Sequence, residues 1–123
     1  MGKTAFIFPG QGAQYTGMGK DFYEEIPVCR DMIDLAGEVT GLNMPELLFE
    51  ENEELNITEY TQIAMLSVEV AILKALEAQG VKADVTAGLS LGEYAACVCA
   101  GTLLEKDAFL LVRKRGILMQ EAV

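Results

Sequence analysis

Apolar residues along this chain fall into two short uninterrupted runs and several helix-length stretches of mixed polarity. The run Ala5-Phe6-Ile7-Phe8, entered through Lys3-Thr4 and stopped by Pro9-Gly10, predicts a buried β-strand over residues 3–8. A glycine-rich loop follows, with Gln11 and Gln14 set among Gly10, Gly12, Gly17 and Gly19. Short helices are predicted over residues 20–26 and 28–38, since Pro27 suits a first helical turn and Gly41 lies just past a stop. Another helical turn is expected over residues 45–49, and Glu50-Glu51-Asn52-Glu53-Glu54 reads as an exposed acidic loop. Thr58 is placed as the N-cap of a long helix reaching Gln79 and ended by Gly80. Residues 85–88 predict a second short strand that enters a tight turn at Ser90. A helix of small residues then covers 91–100, Gly101 breaks it, and a last helix runs from Leu104 or Glu105 to Val123 without a stop signal.

Two short apolar strands, each followed by a loop and a helix, predict an α/β fold: a parallel sheet with flanking helices. Two strands make a poor sheet and the last helix is uncapped, so residues 1–123 read as the front part of a larger fold. Composition narrows the function. The 123 residues, 51% of them hydrophobic, fit one domain. Nine Lys and Arg against 19 Asp and Glu, a net charge of −10, argue against non-specific nucleic-acid binding. The absence of histidine excludes a Ser–His dyad or a His-ligated metal within these residues, and no metal site is expected. The most apolar stretch, residues 63–73, is too short to cross a membrane and contains Ser67 and Glu69, so a cytoplasmic protein is expected. Cys29, Cys97 and Cys99 fit no paired spacing and read as small apolar residues in a reducing compartment.

The chemistry concentrates at Gly88-Leu89-Ser90-Leu91-Gly92, a G-x-S-x-G pattern between a predicted strand and a predicted helix. A serine on so sharp a turn is pushed out at a helix N-terminus, where the backbone dipole favours developing negative charge. Glycines two residues to either side remove Cβ atoms that would clash, and the Leu91 N–H points where an oxyanion would form. A second oxyanion donor is expected from Pro9-Gly10-Gln11-Gly12, which a parallel sheet brings to the same carboxyl edge. That loop is not a nucleotide-binding turn: Tyr15 replaces the third glycine of G-x-G-x-x-G, and Gln14 and Asp21 break the Walker pattern. The plainer alternatives are an N-capping serine and a glycine turn serving only chain reversal.

The last helix carries one more signal. At 100° per residue, Ala108, Leu111, Val112, Leu118, Met119 and Ala122 form one stripe with Arg115 near its centre, while Arg113 and Lys114 project to the other side. A guanidinium in apolar surroundings keeps its charge and needs an anion. The partner is either internal, Glu93 or Glu69, or the free carboxylate of a substrate gripped by the planar fork.

Phe8-Pro9-Gly10-Gln11-Gly12, Thr61-Gln62, Gly88-Leu89-Ser90-Leu91-Gly92-Glu93-Tyr94 and Arg115-Gly116 with Met119-Gln120 together resemble the malonyl-CoA:acyl carrier protein transacylase family. The resemblance implies the front part of an α/β-hydrolase-like acyltransferase subdomain, with 1–123 its N-terminal portion. It also implies transfer of malonyl from coenzyme A to acyl carrier protein through an ester on Ser90, in fatty acid or polyketide synthesis. Gln11 and Leu91 are similar to the family's oxyanion-hole residues, Arg115 to the residue that pairs with the malonyl carboxylate, and Gln62 to an active-site glutamine whose role stays open. No bound cofactor is implied; the coenzyme A thioester is a substrate. Leu89 departs from the histidine many members carry before the serine. The base histidine and a small ferredoxin-like subdomain would lie past residue 123, so this polypeptide alone is expected to be catalytically crippled. Lys106, Arg113 and Lys114 are a candidate patch for acyl carrier protein. Two other functions compete: an α/β-hydrolase-type serine esterase, which has no need of Arg115, and a non-catalytic folding fragment that self-associates through exposed apolar surface.

Overall fold

A computed structural model describes residues 2–123. In chain order the elements are β1 (Ala5–Phe8), α1 (Lys20–Glu25), α2 (Pro27–Thr40), α3 (Met44–Phe49), α4 (Thr58–Ala78), β2 (Val85–Gly88), α5 (Gly92–Cys99) and α6 (Glu105–Glu121). β1 and β2 pair in parallel, Ala5 opposite Val85 and Phe8 opposite Gly88, and form the two-stranded sheet of the described residues. Because the strands are parallel, both chain exits, the glycine loop after Phe8 and the turn after Gly88, emerge at one edge. The α/β class with flanking helices is as expected.

The core is built around α4. Every residue from 61 to 70 is buried, as befits a helix that packs against α2, α6 and α5. Its enclosed hydroxyls find acceptors: Thr61 Oγ1 lies 2.5 Å from the Leu55 carbonyl oxygen, and Ser67 Oγ donates to the Ala64 carbonyl at 2.8 Å. Pro27 opens α2, and Gly41, at φ 76°, closes it in the left-handed region that a residue with a Cβ resists. The N-cap of α4 is Ile57 rather than Thr58, which is the first helical residue; its side chain serves another purpose, given below. Cys29 is fully buried with its thiol donating to the Ala71 carbonyl at 3.1 Å, and all three cysteines are free. No helix among the described residues is long and apolar enough to cross a membrane.

The face that α6 buries differs from the expected stripe. Ala108, Phe109, Val112 and Gly116 are buried, whereas Leu111, Leu118 and Met119 are exposed by 46%, 53% and 37%. The cause is the close approach of α6 to the start of α4: a Cβ on Gly116 would sit 2.9 Å from the Glu59 carbonyl oxygen. That contact turns the helix so that Arg115 lies at the border of the interface. Arg113, expected on the opposite side, also turns inward. Its Nη1 donates to the Glu59 carbonyl at 2.9 Å and reaches the Glu59 carboxylate at 3.3 Å, with the guanidinium 5.0 Å from the Tyr60 ring centre.

Candidate active site

Backbone geometry sets Ser90 apart. Its φ of 53° makes it the one non-glycine residue with positive φ among the described residues. Such a conformation costs energy and persists only where its surroundings hold it. Here they do. The Leu89 N–H donates to the Phe8 carbonyl at 3.1 Å, the Gly92 N–H to Leu89 at 3.0 Å, and the Glu93 N–H to Ser90 at 3.1 Å. The flanking glycines are required by contact. A Cβ on Gly88 would lie 2.1 Å from the Gly92 carbonyl carbon, and one on Gly92 would lie 2.0 Å from the Phe8 carbonyl oxygen. The turn is thus pressed against the exit of β1. The glycine loop leaves from the same point, since a Cβ on Gly10 would meet the Leu89 carbonyl oxygen at 2.6 Å. Farther along, the loop is tied down where Gln14 accepts from the Gly12 N–H at 2.8 Å and donates to Asn56 at 2.9 Å.

The residues expected at the site come together, and one chain of side-chain hydrogen bonds connects them. Arg115 Nη2 donates to Ser90 Oγ at 3.2 Å, and Arg115 Nη1 donates to Gln62 Oε1. Gln62 Nε2 donates to Gln11 Oε1 at 2.8 Å, and Gln11 Nε2 donates to Thr58 Oγ1 at 3.1 Å. The sequence therefore reads Ser90, Arg115, Gln62, Gln11, Thr58, linking the serine turn, α6, α4 and the glycine loop. The Arg115 guanidinium also lies 5.4 Å from the Tyr94 ring centre. Ser90 and Gln11 are exposed, Arg115 is half-buried and Gln62 is 1% exposed. Leu91 is buried by its side chain, and neither its N–H nor that of Gln11 donates a hydrogen bond among the described residues.

Among the described residues no carboxylate neutralises Arg115. The ion pairs among the described residues are Lys74 with Glu77 and Glu105, and Arg113 with Glu59. Glu93 and Glu69, the internal alternatives for Arg115, form no ion pair or hydrogen bond with it. Arg113 is engaged by Glu59, so of the three residues in the candidate docking patch only Lys106 and Lys114 stand exposed. Gln62 entered through the family resemblance with its role open; its place inside an apolar helix is the local signal, because a buried amide must find partners. Thr58 gave none, since a threonine at a helix start reads as a cap.

Residues 5–123 match the family model described as the acyl transferase domain. The chain is 48% identical over 124 residues to the malonyl CoA-acyl carrier protein transacylase of Bacillus subtilis (strain 168), covering all of this chain and 39% of that protein. The crystal structure of the enzyme named MCAT from Streptococcus pneumoniae superposes with a TM-score of 0.95 at 51% identity, over 98% of this chain and 39% of that one. A malonyl-transacylase in complex with its type II PKS acyl-carrier protein superposes with a TM-score of 0.93 at 44% identity, over 99% of this chain and 40% of that one. The chain thus spans about two fifths of the length of these relatives. A serine held at positive φ between two glycines, tied to an uncompensated arginine, is carried by a chain that belongs to the acyl transferase domain family.

Proposed function

We propose that this chain is the serine-bearing part of a malonyl CoA-acyl carrier protein transacylase. The observation that carries the reading is the 3.2 Å contact between Arg115 Nη2 and Ser90 Oγ, made by a guanidinium that no acid neutralises. A malonyl thioester has one methylene between its two carbonyl carbons, which are about 2.5 Å apart for two ordinary C–C bonds. A group that grips the carboxylate must therefore stand beside the group that attacks the thioester. Ser90 and Arg115 are so placed. An ester substrate lacking the carboxylate would leave Arg115 without an anion.

In this mechanism Ser90 Oγ attacks the thioester carbon and its proton passes to a base. The oxyanion of the tetrahedral intermediate accepts from the N–H groups of Gln11 and Leu91. Coenzyme A leaves as the thiol once the proton is returned, and malonyl stays as an ester on Ser90. The phosphopantetheine thiol of acyl carrier protein then attacks that ester and releases the serine. Arg115 holds the free carboxylate with its fork, while Gln62 Oε1 keeps one nitrogen oriented and Gln62 Nε2 steadies the loop that carries the Gln11 amide. Residues 1–123 contain no histidine, so an imidazole base must come from outside them. Without one, acylation is expected to be slower by about 10²–10⁴-fold.

The test is a chimera of residues 1–123 joined to the unmatched remainder of the Bacillus subtilis transacylase, incubated with malonyl-CoA and read by mass spectrometry. A malonyl adduct is expected on Ser90 and absent in Ser90→Ala. Arg115→Ala is expected to lower malonyl transfer more than acetyl transfer. Equal losses for the two acyl groups would make Arg115 a structural residue, and rapid release of free malonate without an acceptor thiol would favour the esterase.

A further inference from the structure

The backbone of the glycine loop after β1 does not hold itself. Among the described residues, residues 10–14 make no backbone–backbone hydrogen bond. Gly12 sits at φ 118° with nothing within 4 Å of where a Cβ would stand. A segment of this kind changes conformation at little cost. Yet it carries the Gln11 N–H, and an oxyanion donor is useful only where it stands within about 3 Å of the developing charge. Something other than the loop backbone must set its place.

Side chains do so on both sides of Gln11. Its own amide runs between Gln62 and Thr58, with Nε2 donating to Thr58 Oγ1 at 3.1 Å. The next N–H, that of Gly12, donates to Gln14 Oε1, and Gln14 Nε2 donates to Asn56 Oδ1 at 2.9 Å. Both outer anchors, Asn56 and Thr58, belong to the stretch that leads into α4. That stretch is firmly fixed. Thr61 donates to the Ile57 carbonyl through its N–H at 2.9 Å and its hydroxyl at 3.0 Å. Glu59, next to Thr58, holds Arg113 of α6 by both its carbonyl and its carboxylate.

The direction of the hydrogen bonds gives the Thr58 oxygen its task. A guanidinium only donates, so Arg115 Nη1 turns Gln62 Oε1 toward itself and leaves Gln62 Nε2 to donate to Gln11 Oε1. Gln11 Nε2 then needs an acceptor, and the Thr58 hydroxyl oxygen supplies it. The helix makes no use of that oxygen as a cap, since its N-cap is Ile57 and no side chain bonds the free amides there.

We propose that Thr58 is a positioning residue of the acyl transfer. Its hydroxyl oxygen, together with the Asn56 side chain, holds the glycine loop so that the Gln11 N–H stands at the oxyanion. Thr58 touches neither the acyl group nor the reacting atoms. This role rests on the reading of Ser90 as the acylated serine. Arg115 serves the carboxylate and Thr58 serves the carbonyl, so loss of the Thr58 hydroxyl must slow acyl groups with and without a carboxylate alike.

The chimera with the remainder of the Bacillus subtilis transacylase provides the test. Single-turnover acylation of Ser90 by malonyl-CoA and by acetyl-CoA is read by mass spectrometry. Thr58→Val keeps the branched shape and removes the acceptor. It is expected to slow acylation at saturating substrate by about 10-fold for both acyl groups, because a misplacement of about 1 Å can cost about 10²-fold. The half-saturating concentration is expected to stay within about 2-fold, the mark of an interaction made in the transition state. The melting temperature is expected to stay unchanged, since the hydrogen bond is exposed. Thr58→Ser returns the oxygen and is expected to bring the rate within about 3-fold of the parent. The parent rate in Thr58→Val, a Thr58→Ser variant as slow as Thr58→Val, a loss confined to half-saturation, or a loss confined to malonyl would each overturn the proposal. If Thr58→Val fails to melt cooperatively, Asn56→Ala decides in its place: a loss of about 3-fold for both acyl groups is expected, and the parent rate overturns the proposal. An adduct formed on Ser90 at the parent rate in Thr58→Val sinks this inference alone. No adduct in the unsubstituted chimera sinks the transacylase reading and this inference with it.

Discussion

Two positions on α4 handle buried polarity in opposite ways. Near its N-terminus, Gln62 is as deeply enclosed as any core leucine, yet its amide donates to Gln11 and accepts from Arg115. Two turns on, Glu69 is also buried, and both its oxygens are unpartnered. The buried amide of the first finds its partners within these residues, and the buried carboxyl of the second does not. A neutral amide can be satisfied by two neighbours at modest net gain, whereas a lone carboxyl in apolar surroundings responds by holding its proton. At the satisfied corner the Arg115 cation lies beside Ser90, with no carboxylate paired to it among the described residues.

The largest expected effect tests the backbone that supports the satisfied corner. Gly92→Ala places a Cβ 2.0 Å from the Phe8 carbonyl oxygen and 2.9 Å from that of Pro9, so the serine turn and β1 must separate. A loss of more than about 3 kcal/mol is expected in urea denaturation. The same change at Gly2, where nothing lies within 4 Å, is expected to stay within about 0.5 kcal/mol. Next, Gln62→Leu keeps the volume and removes the amide, leaving Arg115 Nη1 and Gln11 Oε1 without partners. The denaturation midpoint is expected to report a loss of about 2 kcal/mol. No loss would mean that the corner is held by packing alone.

A third change addresses the unsatisfied region. The Glu69 carboxyl is raised from its ordinary 4.5 to about 8, so between those values the unfolded chain ionises while the folded chain keeps its proton. The unfolded state then binds fewer protons, and stability falls as pH rises from about 4.5 to about 8. Glu69→Leu is expected to remove that slope from the melting temperature of the 123-residue chain and to stabilise it most above pH 8. A slope unchanged by the substitution would assign it to other groups. The smallest effect belongs outside both regions: Lys74→Ala breaks half-exposed bridges to Glu77 and Glu105 and is expected to cost at most about 1 kcal/mol, less in high salt.

How much could be read in advance differs from element to element. The second strand, Val85–Gly88, and the positive-φ serine turn were legible because their causes are local: β-branched and small residues, then glycines where a Cβ would collide. The parallel pairing followed, since a strand–loop–helix order admits little else. Arg115 and Ser90 were singled out one by one, as a charge on an apolar helix and a hydroxyl on a tight turn. The buried face of α6 was not legible. Helical periodicity defines stripes but does not say which neighbour comes closest, and Gly116 against Glu59 made Phe109 inward and Leu118 outward. Thr58 illustrates the same gap, since its hydroxyl holds Gln11 rather than the helix start.

The order of residues by itself determined the α/β class, the bend at Ser90 and the absence of histidine, because propensity, spacing and composition are properties of the chain. Only the tertiary structure decided that Arg115 answers to Gln62 and Ser90 instead of a glutamate, and that Glu69 answers to nothing within these residues. Pairing across more than twenty residues depends on how helices dock. Docking depends on which side chains allow backbones to approach, and that is settled in three dimensions.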